Sequence, residues 1–236
     1  MVCTTDGSTP FRLNLHEGDL GHTMIIGPTG SGKSTLLSLI TAQFRRYPNA
    51  QVFAFDKGMS MFPLCMAAGG KHYDIGAGAL SFAPLQSIDE SDAEMAWACE
   101  WVATLVELRG TKVLPANQNA INDAMKSLAN NPPDMRSLTD FYDVVQDAAV
   151  KEALKHYTQE GPMGHLLDAE SDSLGISNFI VFEIEELMNM GDENLIPVLL
   201  YLFRRIEKSL NGQPSIVILD EAWVTLGHKV FRRKIR

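Results

Sequence analysis

A glycine-rich segment constrains the fold of this chain more than any other feature, because it stands between an apolar run and an amphipathic run. Its residues match the pattern G-x-x-x-x-G-K-[S/T] and are Gly27, Pro28, Thr29, Gly30, Ser31, Gly32, Lys33 and Ser34. Such glycines let successive backbone N–H groups point at one anion, and a following helix adds its positive N-terminal end. The pattern predicts a strand, a phosphate-binding loop and a helix, in an α/β fold that binds a nucleoside triphosphate.

The residues on either side of this loop predict secondary structure, and three residues at or just after its end are expected to contact the nucleotide or its metal. Residues 23–26 are a threonine followed by three apolar residues and predict a short buried strand. The apolar residues of 36–44 recur at helical spacing. We expect Lys33 to reach the β- and γ-phosphates, Ser34 to offer its hydroxyl to Mg²⁺, and Thr35 to contact the α-phosphate. The alternative is a glycine-rich turn with an exposed lysine.

A second motif lies near the end of the chain, where an apolar run over 215–219 ends in Asp220 and Glu221. A strand that ends in this way supports Mg²⁺ in enzymes with a phosphate loop, and both motifs then lie at one edge of a parallel sheet. We expect Asp220 to hold Mg²⁺ through a water that Ser34 also positions. Glu221 is expected to polarise the water that attacks the γ-phosphate. The alternative is a solvated Asp-Glu turn.

Two further segments predict strands, at 51–56 and 178–184, and a helix is predicted at 195–210. Asp56 ends the first of these strands. It either faces a nucleotide or opens the following turn, and the turn is the favoured interpretation. Glycines interrupt the segment 69–78, which predicts a hairpin or a loop crossing rather than another core strand.

The segment 87–172 predicts helices alone. Capping boxes begin at Ser91 and Ser137, and Gly110 is expected to end the first helix. Trp97 and Trp101 lie on one helical stripe and are interpreted as core residues rather than base-stacking ones. We therefore divide the chain into a nucleotide-binding core at 1–86 and 173–236 and an all-helical insertion at 87–172.

Composition excludes several classes of protein. The chain has 236 residues, 45% of them hydrophobic, which is enough for one large domain or a domain with an insertion. Its longest apolar run, which contains 196–203, is far short of the roughly 18 residues of a membrane span. The start of the sequence has no secretory signal pattern, and three cysteines without metal-ligand spacing fit a reducing compartment. A net charge of −9 argues against a surface that coats nucleic acid.

Four segments together resemble conjugal-transfer ATPases of type IV secretion systems, in particular the TrbE-like branch: residues 27–34, 55–58, 182–191 and 219–223. The resemblance covers essentially the whole chain. It implies a RecA-like P-loop ATPase core with a helical insertion, and ATP and Mg²⁺ as ligands. It also implies a hexamer that works with other secretion components at the cytoplasmic face of the inner membrane. Lys33, Ser34, Asp220 and Glu221 would then carry the ATPase roles given above.

Members of that family are longer than this chain at both ends. The resemblance implies a strand between 23–27 and 215–219, a polar sensor and an inter-subunit arginine that would follow Arg236. We therefore expect an incomplete core, a chain that is a fragment, and weak or absent turnover. Two other functions stay open: a DNA-translocating motor of the coupling or packaging type, and a non-catalytic nucleotide-binding assembly module.

The last residues, 228–236, contain five lysines or arginines and no acid. They predict the start of an amphipathic helix with solvated charges. A contact with DNA or phospholipid is the alternative. Arg232 or Arg233 could act as an inter-subunit arginine, although both follow the second motif closely.

Overall fold

The computed structural model of the chain describes residues 2–4, 7, 10–12, 15, 21–78 and 80–221, which form two sheets and a set of helices. The strands are β1 (Val2–Thr4), β2 (Pro10–Arg12), β3 (Gln51–Asp56), β4 (Lys71–Asp74), β5 (Phe179–Glu183) and β6 (Ser215–Leu219). The helices are α1 (Lys33–Phe44), α2 (Phe62–Ala67), α3 (Asp92–Leu108), α4 (Pro115–Leu128), α5 (Leu138–Val144), α6 (Ala148–Leu154), α7 (Gly164–Leu167), α8 (Glu185–Asn189) and α9 (Asp192–Ser209). Single 3₁₀ turns occupy Pro133–Met135 and Lys155–Tyr157.

The main sheet has the strand order β4-β5-β3-β6, while β1 and β2 form a separate antiparallel pair. Strand β3 is buried along its entire length, as expected for an apolar strand covered on both faces. It runs parallel to β6, with Gln51 opposite Ser215 and Phe55 opposite Leu219. The predicted α/β class with a parallel sheet is confirmed, and the carboxyl ends of β3 and β6 meet at one edge.

Contacts divide the chain into two compact units. The first contains the described residues of Met1–His72, Ser177–Phe182 and Gly212–Ala222. Its core contains Val52, Ala54, Met61, Cys65, Phe179, Val181 and Ile218. Helix α1 packs Leu37 and Phe44 against this core, so the apolar side of the helix fixes the position of the loop that precedes it.

The second unit contains the described residues of Tyr73–Ile176 and Glu183–Asn211, and helices dominate it. The Ser91 hydroxyl caps α3 by accepting from the Glu94 N–H, and Ser137 forms a reciprocal capping box with Asp140. Trp101 is buried, and its Nε1 donates to the Pro197 carbonyl at 3.0 Å. The predicted caps and the core role of Trp101 are confirmed. The division at 87 and 172 stays a prediction.

Two sequence-based strand predictions are wrong. Residues 23–26 form no strand, and Met24 and Ile26 are 66% and 85% exposed. A strand requires a hydrogen-bonded neighbour, and no strand in the described part of the chain pairs with this segment. In contrast, Lys71–Asp74 forms β4, an edge strand of the main sheet. A strand of four residues is too short to show an alternating pattern, so the sequence does not reveal it.

No helix among the described residues is long and apolar enough to cross a membrane. The expectations for 228–236, including Arg232 and Arg233, lie outside the described residues.

Candidate nucleotide site

The glycine-rich loop leads directly into α1, whose first residue is Lys33. Gly30 and Gly32 have φ angles of 79° and 85°, in the left-handed region that glycine enters without steric cost. The Ser31 N–H donates to the Pro28 carbonyl at 3.2 Å and closes a turn. No described side chain caps α1 at Gly32, so its first N–H groups are disposed to bind an anion.

Gly27 lies close to Ser31 within the loop. A Cβ atom at this position would lie 2.7 Å from the Ser31 Oγ, so a larger residue here would require the Ser31 hydroxyl to rotate away. The loop therefore folds back tightly on itself, as the motif predicts.

The Lys33 side chain turns back over the loop. Its Nζ donates to the carbonyl oxygens of Gly27 and Pro28, at 2.9 and 3.0 Å. An ammonium has three N–H groups, and these two bonds use two of them. The positive charge of Lys33 is thereby held above the same loop whose N–H groups favour an anion. Ser34 and Thr35 follow in the first turn of α1, half-buried and exposed respectively.

Asp220 extends β6 by one residue, because its N–H donates to the Phe55 carbonyl at 2.9 Å. Burial is the main cause that raises the pKa of the Asp220 carboxyl above its usual range. The negative charges of Asp56 and Glu221 raise this pKa further, while the Lys33 ammonium lowers it. The charges of Lys33, Asp56 and Glu221 thus all contribute to the electrostatic environment of Asp220, which joins the two motifs in the folded chain.

Glu221 follows with a φ of 60°, in the left-handed region. A residue with a Cβ adopts this conformation at a cost of about 1–2 kcal/mol. Backbone strain of this kind is concentrated at functional sites. The conformation is an observation that the sequence pattern does not predict.

Asp56 is fully buried at the end of β3. Its Oδ1 accepts from the Ser60 hydroxyl at 2.6 Å and its Oδ2 from the Met61 N–H at 2.7 Å. These bonds fit the interpretation that Asp56 opens the turn. The sequence pattern does not identify the two hydrogen-bond donors to Asp56, because a serine four residues after a strand is common in turns.

The chemistry of the donor set fits Mg²⁺, which prefers oxygen ligands and keeps several waters or phosphate oxygens around it. Ser34 offers a hydroxyl and Asp220 a carboxylate that lies among other negative charges. No group of three or more histidine, cysteine, aspartate or glutamate side chains in the described residues could hold a metal by itself.

Two conjugal transfer proteins are similar to this chain over its entire length. A probable conjugal transfer protein TrbE from Sinorhizobium fredii is 59% identical over 242 residues, covering 100% of this chain and 36% of the relative. Conjugal transfer protein TrbE of Rhizobium radiobacter is 58% identical over 100% of this chain and 29% of the relative. The chain belongs to the TrbE-like family.

More distant relatives extend this TrbE-like assignment. The type IV secretion system protein virB4 of Bartonella henselae is 29% identical, over 97% of this chain and 30% of the relative. The solved structure of VirB4 from Thermoanaerobacter pseudethanolicus matches with a TM-score of 0.73 and 17% identity, covering 94% of this chain and 67% of that chain. That match shows a shared fold, in agreement with the α/β prediction. No protein-family model matches the chain.

The TrbE-like chain spans about a third of the length of these curated relatives.

Proposed function

We propose that this chain binds Mg-ATP and hydrolyses it as the motor segment of a conjugative type IV secretion system. One observation carries the proposal: α1, which begins at Lys33, packs against the same sheet whose strand β6 ends at Asp220, so two motifs that are distant in the sequence share one sheet. A phosphate loop beside a strand that ends in carboxylates is the arrangement that phosphoryl transfer requires.

In this proposal the loop N–H groups bind the β-phosphate and Lys33 moves from its two carbonyl partners to the β- and γ-phosphates. Thr35 contacts the α-phosphate. Ser34 and Asp220 would hold Mg²⁺, Asp220 through a water. When bound, the metal neutralises charge on the phosphate oxygens.

Glu221 is proposed as the general base. Its carboxylate accepts a proton from a water, the water oxygen forms a bond to the γ-phosphorus, and the bond from that phosphorus to the β-γ bridging oxygen breaks. The products are ADP and inorganic phosphate. This role requires Glu221 to stay ionised, and its left-handed backbone directs its side chain differently from that of a residue that continues the strand.

The names of the relatives connect this chemistry to a secretion machine, because they describe conjugal transfer proteins and type IV secretion proteins. We infer that hydrolysis energises pilus assembly or substrate transfer. The working form is proposed to be a hexamer, peripheral to the cytoplasmic face of the inner membrane and in contact with other secretion components.

The test compares Lys33→Ala and Glu221→Gln with the unaltered chain. Lys33→Ala should abolish binding of Mg-ATP in calorimetry, because it removes the only side chain assigned to the β- and γ-phosphates. Glu221→Gln should bind Mg-ATP normally and release no phosphate, because an amide cannot accept the proton. Arg46→Ala is the matched control, since it removes one exposed positive charge beyond the opposite end of α1.

Equal loss of binding in Lys33→Ala and Glu221→Gln would contradict the assigned roles. Binding without phosphate release in the unaltered chain would favour a nucleotide-binding assembly module. A rate per chain that rises with protein concentration would show that neighbouring subunits complete the site. Stimulation by DNA would favour a DNA-translocating motor.

A further inference from the structure

The Asp56 carboxylate is unusual because it is completely buried and has no ion-pair partner among the described residues. A buried carboxylate is costly unless donors or opposite charges compensate it. Asp56 receives hydrogen bonds from the Ser60 hydroxyl and the Met61 N–H, both uncharged donors. Its negative charge is therefore stabilised locally but not neutralised.

The register of the sheet places this charge next to Asp220. Phe55 lies opposite Leu219 in the parallel pair of β3 and β6, so the next residues along the two strands are Asp56 and Asp220. The bond from the Asp220 N–H to the Phe55 carbonyl continues the ladder by one step. Neighbouring strands are about 4.8 Å apart, and residues opposite one another point to the same face.

We propose that Asp56 is a positioning residue for the Mg²⁺ site: its buried charge strengthens metal binding at Asp220, and its hydrogen bonds anchor the loop between β3 and α2. The inference rests on the proposed function. Asp56 does not ligate the metal, because its two oxygens are buried and engaged by Ser60 and Met61. It acts through the electrostatic field.

The expected size of this effect follows from Coulomb attraction over one strand spacing. At an effective dielectric constant of about 20, a unit charge some 6–8 Å from a divalent cation changes its affinity by at least about tenfold, even after strong discounting for solvent. A purely structural role in the turn would leave metal affinity unchanged. The Mg²⁺ concentration needed for half-maximal binding therefore distinguishes an electrostatic role of Asp56 from a purely structural one.

The experiment measures binding of a fluorescent ATP analogue as Mg²⁺ is titrated, and repeats the measurement in EDTA. Asp56→Asn removes the charge while its amide oxygen can still accept from the Met61 N–H. Ser60→Ala removes one hydrogen bond to Asp56 and leaves the charge. Asp56→Ser removes the same charge and has a smaller side chain. Melting curves show which of the two neutral variants folds, and that variant is used.

The neutral variant should need about tenfold more Mg²⁺ for half-maximal binding. Its nucleotide binding in EDTA should be no weaker than that of the unaltered chain, because the Asp56 charge also repels the free triphosphate. Ser60→Ala should lower the melting temperature but keep the Mg²⁺ requirement within about twofold. A neutral Asp56 variant with the Mg²⁺ requirement of the unaltered chain would overturn the inference. Binding by the unaltered chain no stronger than that of Lys33→Ala would instead refute the proposed function and this inference with it.

Discussion

Arg136 lies in the second unit with 4% of its side chain exposed, and all five of its guanidinium N–H groups have acceptors. Its Nε donates to the Asn131 carbonyl at 2.8 Å. One terminal nitrogen donates to the Gln86 carbonyl at 3.0 Å and to Asp89 at 2.5 Å. The other donates to Asp89 at 2.8 Å and to the Ala129 carbonyl at 3.1 Å. One side chain thus joins the segment before α3 to the end of α4.

Substituting Arg136 by lysine keeps the charge but should destabilise the second unit. An ammonium has three N–H groups, so at least two of the five acceptors lose their donor. The carbonyls of Gln86, Ala129 and Asn131 belong to half-buried residues, and each one left without a donor costs up to about 1–3 kcal/mol. The side chain of Asp89 is 51% exposed, so water can replace its lost bond, and the cost falls on the carbonyls. We expect Arg136→Lys to reduce the free energy of unfolding by about 2–5 kcal/mol.

The assay is urea unfolding followed by tryptophan fluorescence in a Trp223→Phe background, which limits the signal to Trp97 and Trp101 in the second unit. Asp89→Asn is the control, because it keeps one acceptor and should cause a much smaller change. If Arg136→Lys unfolds at the same urea concentration as the parent, the carbonyls are hydrated or mobile, and the reasoning from five satisfied donors is refuted.

Two further substitutions test other parts of the chain. Gly32→Ala meets no atom within 4 Å, but a φ of 85° is strained for alanine, so the free loop should relax to another conformation. Restoring the binding conformation at a cost of about 1–2 kcal/mol should weaken ATP binding five- to thirtyfold in calorimetry. Gly69→Ala has the same open space and a φ of 68° away from the loop, and equal weakening there would contradict the strain argument. Burial raises the pKa of Asp168, which Thr139 contacts by two hydrogen bonds, so the folded state binds the proton more tightly than the unfolded state. The stabilisation is complete below the unfolded pKa, about 4, and is lost as pH rises through the folded pKa. Asp168→Asn should therefore gain stability relative to the parent as urea unfolding is repeated from pH 4 to pH 7, and a pH-independent difference would rule this out.

Elements whose formation depends on nearby residues are predictable from the sequence. Strand β3 at Gln51–Asp56 has the bounds that its apolar run predicts. The caps at Ser91 and Ser137 occur where a hydroxyl precedes an acidic residue by three positions. In each case the element is determined by residues close together in the sequence. The cause is the spacing of apolar residues for the strand and a hydrogen bond across one helical turn for the caps.

The predictions for the segments 23–26 and 71–74 are wrong for one reason. Whether a segment forms a strand depends on a neighbour that is distant in sequence, and apolar composition cannot report that neighbour. Met24 and Ile26 are exposed although both are apolar, and Lys71 begins an edge strand although its surroundings are rich in glycine.

For the candidate site, the sequence by itself determined which chemical groups are available: a loop that binds anions, a lysine, and two carboxylates after an apolar strand. Only the tertiary structure decided how these groups are placed. The parallel register of β3 and β6 puts Asp56 beside Asp220, and the fold of the loop directs Lys33 onto the carbonyls of Gly27 and Pro28. Chemical identity is a property of each residue, whereas electrostatic coupling depends on distances that exist only once the strands have paired.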